Sequence, residues 1–164
     1  MSEWDDAESA LRAAMHHLRH LSRTWSPVLP RRVYHAAIGD LAELVLVLLL
    51  GPVLGAREVA EPASRFVHSL LLDAAGGVAS LFLPADGVTG GDGGRRTAAG
   101  RHTPSLGRVE AVGNFMRMNL DEVSRGLEGG TFRCVTAKEL SVLVSATFDD
   151  SERRAAMLSS LAAG

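Results

Sequence analysis

The chain has a single cysteine, Cys134, among 164 residues. One thiol cannot form an internal disulfide, and it cannot by itself build a cysteine-rich zinc site. A chain without a disulfide framework fits a reducing compartment such as the cytosol or the nucleus. We expect Cys134 to be a structural thiol buried between helices, because free cysteine usually behaves as a small apolar side chain.

An excess of positive charge is also missing, since 17 Lys and Arg residues face 19 Asp and Glu residues for a formal net charge of -2. Without a long-range positive field, direct binding of nucleic acid is not expected. Only Lys138 is a lysine, which together with the abundance of Ala and Gly indicates a G+C-rich genome. The arginines are therefore not taken as evidence of phosphate recognition.

Long apolar runs are scarce as well. The most apolar stretch, Leu41 to Leu54, is flanked or interrupted by Asp40 and Glu43 and ends at Gly51-Pro52. It is shorter than the roughly 20 residues that span a bilayer, so a buried helix is predicted there. The acidic start of the chain, Met1 to Asp6, lacks the basic and apolar regions of a secretory signal.

The residues that are present predict an all-α fold, a helical bundle or rod. Hydrophobic residues make up 46% of the chain, enough for one core, and they recur at three- and four-residue steps. The first helix, 5–24, carries one apolar stripe, and Pro27 and Pro30 then make a short, stiff connector. That stripe consists of Leu11, Met15, Leu18, Leu21 and Trp25.

Five further helices follow in this interpretation. The second, Arg31 to Leu54, is predicted to be central, buried over most of its circumference and packed through Val33, Ala37, Leu41, Leu44 and Leu48. The third runs from Val59 to Leu83, where Gly76-Gly77 allows a bend, and the fourth from Arg108 to Arg125. Thr136 and Glu139 form a capping box that opens the fifth, and Asp149 to Glu152 opens the last.

The segment between Pro84 and Gly107 is rich in glycine and has almost nothing to bury, which predicts a disordered linker. The predicted organisation is therefore an N-terminal helical hairpin or bundle over residues 1–83, a Gly-rich linker over 84–107 and a C-terminal helical subdomain over 108–164. Together they are expected to make one packed domain.

Candidate chemistry is sparse. His16 and His20 are four apart on a helix, a spacing that can hold a metal, but no nearby carboxylate or thiol completes the ligand set, which favours a solvated helix face. Cys134 beside a histidine could make a nucleophile and base only if the fold brought them together. The Gly-Gly-Arg-Arg-Thr run near Gly93 lacks the lysine and the preceding strand of a phosphate loop. We expect no catalytic residue, metal or cofactor.

Two segments resemble the C-terminal region of the Zeste-white ten family of centromere/kinetochore and vesicle-tethering proteins. In the first, a helix ends in W-x-x-V-L-P and an aromatic residue follows four positions later, before an Ala/Gly helix. The second is the tail E-L-S-V-L-V-S-A-T-F-D-D-S-E-R-R-A-A-M-L-S-S-L. The residues that carry the two matches, and that become structural or partner-binding candidates, are Trp25, Val28, Leu29, Pro30, Tyr34, Glu152, Arg153 and Arg154.

This resemblance implies a non-catalytic helical subunit or fragment that acts through helix-mediated contacts. It implies a cytoplasmic protein located at kinetochores in mitosis, with Rod- and Zwilch-like subunits, or at the periphery of the endoplasmic reticulum in a tethering complex for Golgi-derived vesicles. The implied partner is a Rod-like or ER-tethering subunit, and contact with membranes would be only through partners. A generic helical scaffold unrelated to this family and a small metal-dependent enzyme using His16 and His20 remain alternatives.

Overall fold

A computed structural model describes residues 3–83 and 92–163, and within these ranges the chain forms eight helices and no strand. The predicted all-α fold is confirmed. The helices are α1 (Glu3–Trp25), α2 (Arg31–Gly55), α3 (Glu61–Ser80), α4 (Asp92–His102), α5 (Ser105–Phe115), α6 (Leu120–Glu128), α7 (Ala137–Thr147) and α8 (Glu152–Ala163).

The predicted capping box at the start of α7 is confirmed. The Thr136 hydroxyl accepts from the Glu139 backbone N–H at 3.2 Å, and a Glu139 carboxylate oxygen accepts from the Thr136 backbone N–H at 2.8 Å. Burial raises the pKa of Glu139, but the hydrogen bonds from Thr136 and the nearby Arg108 guanidinium outweigh it and lower that pKa overall. The box therefore satisfies two amides that would otherwise be unpaired at the helix start.

The chain divides into two compact units. Unit 1 consists of residues 1–48 and 73–107, and unit 2 of residues 49–72 and 108–164. These units differ from the predicted division at 83 and 108, because residues 49–72 belong with the C-terminal helices. The difference arises because α2 and α3 are each long enough to contribute one part to each unit.

Unit 1 is organised around Tyr34, which is fully buried. Its phenolic OH lies 2.6 Å from the Ser22 hydroxyl of α1 and donates to the Leu81 carbonyl, just after α3, at 2.5 Å. One side chain on α2 therefore links the ends of two other helices. The core of unit 1 also contains the buried ring of Phe82 and the apolar residues Leu11, Met15, Leu18, Ile38, Leu46 and Val78.

Unit 2 has its own aromatic core. The ring of Phe115 packs edge-on against Phe132 and Phe148, with centroids 6.1 and 5.9 Å away. The Val59 backbone N–H donates to the Ala146 carbonyl at 2.8 Å, which ties the chain before α3 to the end of α7. Around these rings lie buried aliphatic residues that include Val67, Leu71, Val112, Leu140, Leu143 and Val144.

The predicted disordered linker is wrong for residues 92–107, while its first part, 84–91, lies outside the described residues. Residues 92–102 form α4, and Ala99 and Thr103 are fully buried. Ser105 is held by Glu43 of α2, whose carboxylate accepts from the Ser105 backbone N–H at 3.0 Å and its hydroxyl at 2.6 Å. Small residues allow close packing here, so a composition poor in large apolar side chains does not prevent order.

One predicted helix is divided in the structure. The single helix predicted over 108–125 is two helices, because Asn119 caps α6 with its own capping box to Glu122. The third helix is continuous through Gly76-Gly77. The second, predicted to end at Leu54, ends one residue later at Gly55.

The prediction of a buried thiol is wrong, since Cys134 is exposed. It lies in the turn after α6, where Phe132 and Val135 are the buried residues. A cysteine in a short turn has fewer neighbours than one on a packed helix face, and the general preference of cysteine for burial does not operate there.

Candidate interaction surfaces

The second helix is largely exposed, which corrects the prediction of a helix buried over most of its circumference. By length and composition α2 could cross a membrane, yet only 28% of its most apolar window is buried. The core-facing positions are Tyr34, Ile38, Ala42, Leu46 and Leu50, each one or two residues after the position that was predicted. Several of the residues assigned to the core by their spacing instead face outward, with Val33 51%, Leu44 57% and Leu48 66% exposed.

The outward side of this helix is defined here as the α2 surface. It combines large aliphatic residues with two opposite charges and a small residue, all exposed on neighbouring positions of one helix face. Exposed aliphatic clusters of this kind are typical of interaction sites in soluble proteins. Its members are Arg32, Val33, Ala36, Asp40, Leu44, Val47 and Leu48.

The connector candidates separate into exposed and buried residues. Val28 is 77% exposed and Pro30 is also exposed, whereas Trp25 and Leu29 are half-buried and Tyr34 is fully buried. The Val28 and Leu29 backbone N–H groups both donate to the Trp25 carbonyl, which makes a compact turn. Tyr34 is thus a packing residue, and Val28 has a side chain available for a partner.

A cluster of rings closes unit 1 at the end of α4. The His35 ring lies 5.5 Å from the His102 ring and 5.4 Å from the Phe82 ring, measured between centroids. The Nε2 atom of His35 accepts from the Leu83 backbone N–H at 3.3 Å. Burial lowers the pKa of His35, and the nearby His102 and Arg31 act in the same direction.

We expect the protein to lose stability in mild acid because of His35. Its folded-state pKa lies below the ordinary value of 6.5, so the unfolded chain takes up the proton first, and stability is lost as the pH falls from about 6.5 through the folded-state pKa. Replacing His35 by glutamine, which cannot titrate and keeps an acceptor, should reduce this loss. The measurement is chemical denaturation at a series of pH values.

The control for this prediction is His20→Gln, which removes an exposed histidine on α1. The acid loss of stability should remain in this variant. An unchanged pH dependence in His35→Gln would show that His35 does not cause it.

A second candidate surface is a groove between α6 and α8 in unit 2, with a volume of about 450 Å³. Residues at i, i+1, i+4 and i+7 line one wall from α6, and residues at i, i+3, i+4 and i+7 line the other from α8. Arg153 and Asp121 form an exposed ion pair at 3.7 Å across it. The residues of this α6–α8 groove are Leu120, Asp121, Ser124, Leu127, Arg153, Ala156, Met157 and Ser160.

The three candidates in the tail have different environments. Glu152 is exposed in the first turn of α8, and Arg153 is exposed beside the α6–α8 groove. Arg154 instead folds back over the end of α7, where its guanidinium donates to the Phe148 carbonyl at 2.7 Å and to Asp150 at 3.0 Å. Arg154 is therefore a structural residue that pairs carbonyls left open at a helix end.

Another cavity in unit 2, of about 340 Å³, lies among α3, the start of α6 and the end of α7. Most of its polar groups already have partners. The Ser64 hydroxyl donates to the Met116 carbonyl at 2.5 Å, Arg65 pairs with Glu61, and Glu122 belongs to the α6 capping box. These contacts account for Ser64, Arg65 and Glu122, whereas the buried Thr147 Oγ1 in the cavity lining has no hydrogen-bond partner among the described residues.

The histidines proposed as metal ligands, His16 and His20, are both exposed on α1. Across residues 3–83 and 92–163, no group of three or more His, Cys, Asp or Glu side chains is arranged to hold a metal ion. The structure therefore gives the metal hypothesis no additional ligand beyond the two histidines.

Sequence reasoning missed both surfaces. The α2 surface was assigned to the core, and the groove could not be predicted because α6 was not recognised as a separate helix. The order Asn119-Leu120-Asp121-Glu122 was the available signal, since Asn followed three residues later by Glu is typical of a capping box.

These features define an all-helical domain with one exposed aliphatic helix face and one groove between helices. The family model described as the ZW10 C-terminal helical domain matches residues 9–161. The chain belongs to this family, and the resemblance found from the two sequence segments is confirmed. No curated protein matches the chain.

Proposed function

We propose that this chain is a non-catalytic subunit or fragment of a Zeste-white ten type protein that binds a Rod-like or ER-tethering subunit. The observation that carries this proposal is the α6–α8 groove. Its walls include the half-buried apolar side chains of Leu120, Leu127 and Met157 between two helices. A groove of this form suits an amphipathic partner helix, which lays its apolar face between two helices.

The groove lies in the segment with the tail match, since α8 contains the Glu152 to Ala156 residues that resemble the family. Two assemblies follow from that resemblance. One is the kinetochore complex with Rod- and Zwilch-like subunits, which acts in the spindle checkpoint and recruits dynein. The other is the complex that tethers Golgi-derived vesicles at the endoplasmic reticulum. In either case the chain is cytoplasmic and reaches membranes only through its partners.

The test is affinity purification of the tagged chain from synchronised cells, followed by mass spectrometry. We expect a Rod-like or ER-tethering subunit to be recovered, and the subunit found identifies the assembly. The variant Ala156→Arg places a long charged side chain inside the groove and should reduce recovery of the partner by about tenfold, as a charge placed at the centre of an interface does.

The matched control is Ala155→Arg, which makes the same change at an exposed position of α8 that does not line the groove. Recovery should be unchanged with this variant. If neither subunit is recovered with a folded bait, or if both variants bind equally well, the proposal is wrong.

A further inference from the structure

The charges of unit 1 are unevenly distributed along the chain. No Asp or Glu lies between Glu8 and Asp40, which makes residues 9–39 the longest stretch without an acidic side chain. These residues contain five arginines and four histidines, and all of them belong to unit 1. The net charge of -2 therefore conceals a basic segment that an acidic remainder outweighs. A G+C-rich genome explains arginine in place of lysine, but it does not explain the missing carboxylates.

Helix α1 carries five of these basic side chains on one face. Residues at i, i+4, i+7, i+8 and i+11 lie on the same side of a helix, and all five are exposed. A different side of α1, which carries Leu11, Met15 and Leu18, is buried in the core of unit 1 and holds the basic side toward solvent. The α1 basic face is defined as Arg12, His16, Arg19, His20 and Arg23.

Contacts within the chain compensate little of the charge on this face. Arg12 pairs with Glu8, one turn earlier, at 2.5 Å. The other four residues of the α1 basic face form no ion pair with a carboxylate within residues 3–83 and 92–163. Most of the face is therefore available to an acidic group from another molecule.

Helix stability does not explain the α1 basic face either. The helix macrodipole favours basic residues, but its effect is confined to the last turn, so it accounts for Arg23 and not for the residues before it. Arg19 and Arg23 are four residues apart, a spacing at which like charges repel each other. An opposite charge brought by a partner would remove this repulsion.

The spacing of the α1 basic face matches that of a second helix. Its residues recur once per helical turn, about 5.4 Å, over a length of about 16 Å. Carboxylates at i, i+4 and i+7 of another helix recur at the same interval. Those on one side of an extended strand recur at about 6.6 Å, so they lose register with the face along its length.

We propose that the α1 basic face binds an acidic helix of a partner protein, whose carboxylates lie level with the basic residues of α1. Arginine and a carboxylate form two parallel hydrogen bonds, and a histidine N–H can donate a further one. Exposed charges of this kind contribute more to the rate of encounter and to the register of two surfaces than to affinity. The contact shares no residue with the α6–α8 groove.

Anionic membranes and nucleic acids also attract basic residues. A helix that binds a membrane surface needs apolar side chains exposed beside its basic ones, whereas the large apolar residues Leu11, Met15 and Leu18 of α1 are buried. Binding of nucleic acid depends on many phosphate contacts, and this chain has a net charge of -2. Two or three carboxylates on one helix match the small number of arginines on the face.

The experiment is fluorescence anisotropy of labelled, alanine-based helical peptides mixed with the full chain. One peptide carries glutamate at i, i+4, i+7 and i+11, and two matched peptides carry glutamine or lysine at the same positions. We expect the glutamate peptide to bind at least about tenfold more tightly than the glutamine peptide, and its affinity to fall as salt is added. The lysine peptide should not bind.

The double reversal Arg19→Glu with Arg23→Glu should weaken binding of the glutamate peptide by about tenfold and allow the lysine peptide to bind. The matched control is Arg57→Glu with Arg95→Glu, which changes the net charge equally at exposed positions outside α1. At about 0.1 M salt, where distant charges are screened, its affinity should stay within about twofold of the starting value.

A milder variant separates binding from folding. The Arg19 guanidinium lies close to Gly77 of α3, so circular dichroism and thermal unfolding check that the reversal keeps the fold. Arg19→Gln with Arg23→Gln removes both charges without reversing them. It should weaken binding of the glutamate peptide less than the reversal does, and it should not bind the lysine peptide.

Three results overturn the proposal. The first is no binding of the glutamate peptide, and the second is an equal loss in the Arg19/Arg23 reversal and in its control. The third is binding of phosphatidylserine vesicles or duplex DNA that is tighter than binding of the glutamate peptide and is lost in the reversal. None of them affects the α6–α8 groove, which Ala156→Arg tests separately.

Discussion

Tyr34→Ala should lower the free energy of unfolding by about 3–5 kcal/mol, the range found when a large buried aromatic residue is truncated. The Tyr34 side chain is fully buried, so its removal leaves a cavity in unit 1. It also removes the donor to the Leu81 carbonyl and the partner of the Ser22 hydroxyl. In thermal unfolding the midpoint should fall by about 6 °C or more, at roughly 2–4 °C per kcal/mol for a chain of this size.

Two further variants separate the causes of this loss. Tyr34→Phe keeps the ring and deletes the hydroxyl, so it should cost only about 1–2 kcal/mol, the effect of leaving buried polar groups without a partner. Val28→Ala shortens an exposed side chain nearby and should change stability by less than about 0.5 kcal/mol. An unfolding midpoint that is the same for Tyr34→Ala and the unaltered chain would contradict the central position of Tyr34 in unit 1.

Gly39→Ala should destabilise the protein although alanine is the better helix former. A Cβ atom at position 39 would lie 2.7 Å from the His102 Cβ and 2.9 Å from the His102 carbonyl oxygen. The obstacle is the backbone of α4, which cannot rotate away as the end of a flexible side chain can. Overpacking of this kind costs typically about 1–3 kcal/mol, which exceeds the gain of about 1 kcal/mol from helix propensity.

The matched substitution Gly76→Ala should have the opposite sign. Gly76 lies inside α3, and a Cβ there meets nothing within 4 Å. We therefore expect this variant to be more stable by up to about 1 kcal/mol, because the change acts mainly on helix propensity. Denaturant titration of both variants measures the difference, and equal effects at the two positions would show that α4 does not pack tightly against Gly39.

The elements that could be predicted from sequence are those with a local cause. The Thr136 capping box and the end of α1 before the proline-containing connector depend on a few adjacent residues, and both occur where predicted. The family relationship was also accessible, because two separate motifs occur in the expected order. Local signals remain valid whatever the rest of the chain does.

The elements that could not be predicted depend on distant residues. Almost every position of α2 between 41 and 50 is aliphatic. The spacing of these residues therefore does not distinguish the buried side of α2, which carries Tyr34 and Ile38, from its exposed side. The order of α4 depends on the contact between His102 and Gly39, more than 60 residues apart in sequence. The α6–α8 groove could not be predicted because it lies between two helices. One of them, α6, overlaps the end of the single helix that the apolar pattern predicted over 108–125.

Folding constrains the sequence of α8 less than it constrains the sequences of helices with buried residues. None of the residues of α8 is fully buried, and most of them are exposed. Substitutions at exposed positions usually change stability by less than about 0.5 kcal/mol. Apart from the half-buried Arg154, Met157, Leu158 and Leu161, its sequence can therefore diverge with little loss of stability. One wall of the groove is then free to change as its partner changes, which would let related chains acquire different partners while the core of unit 2 stays the same.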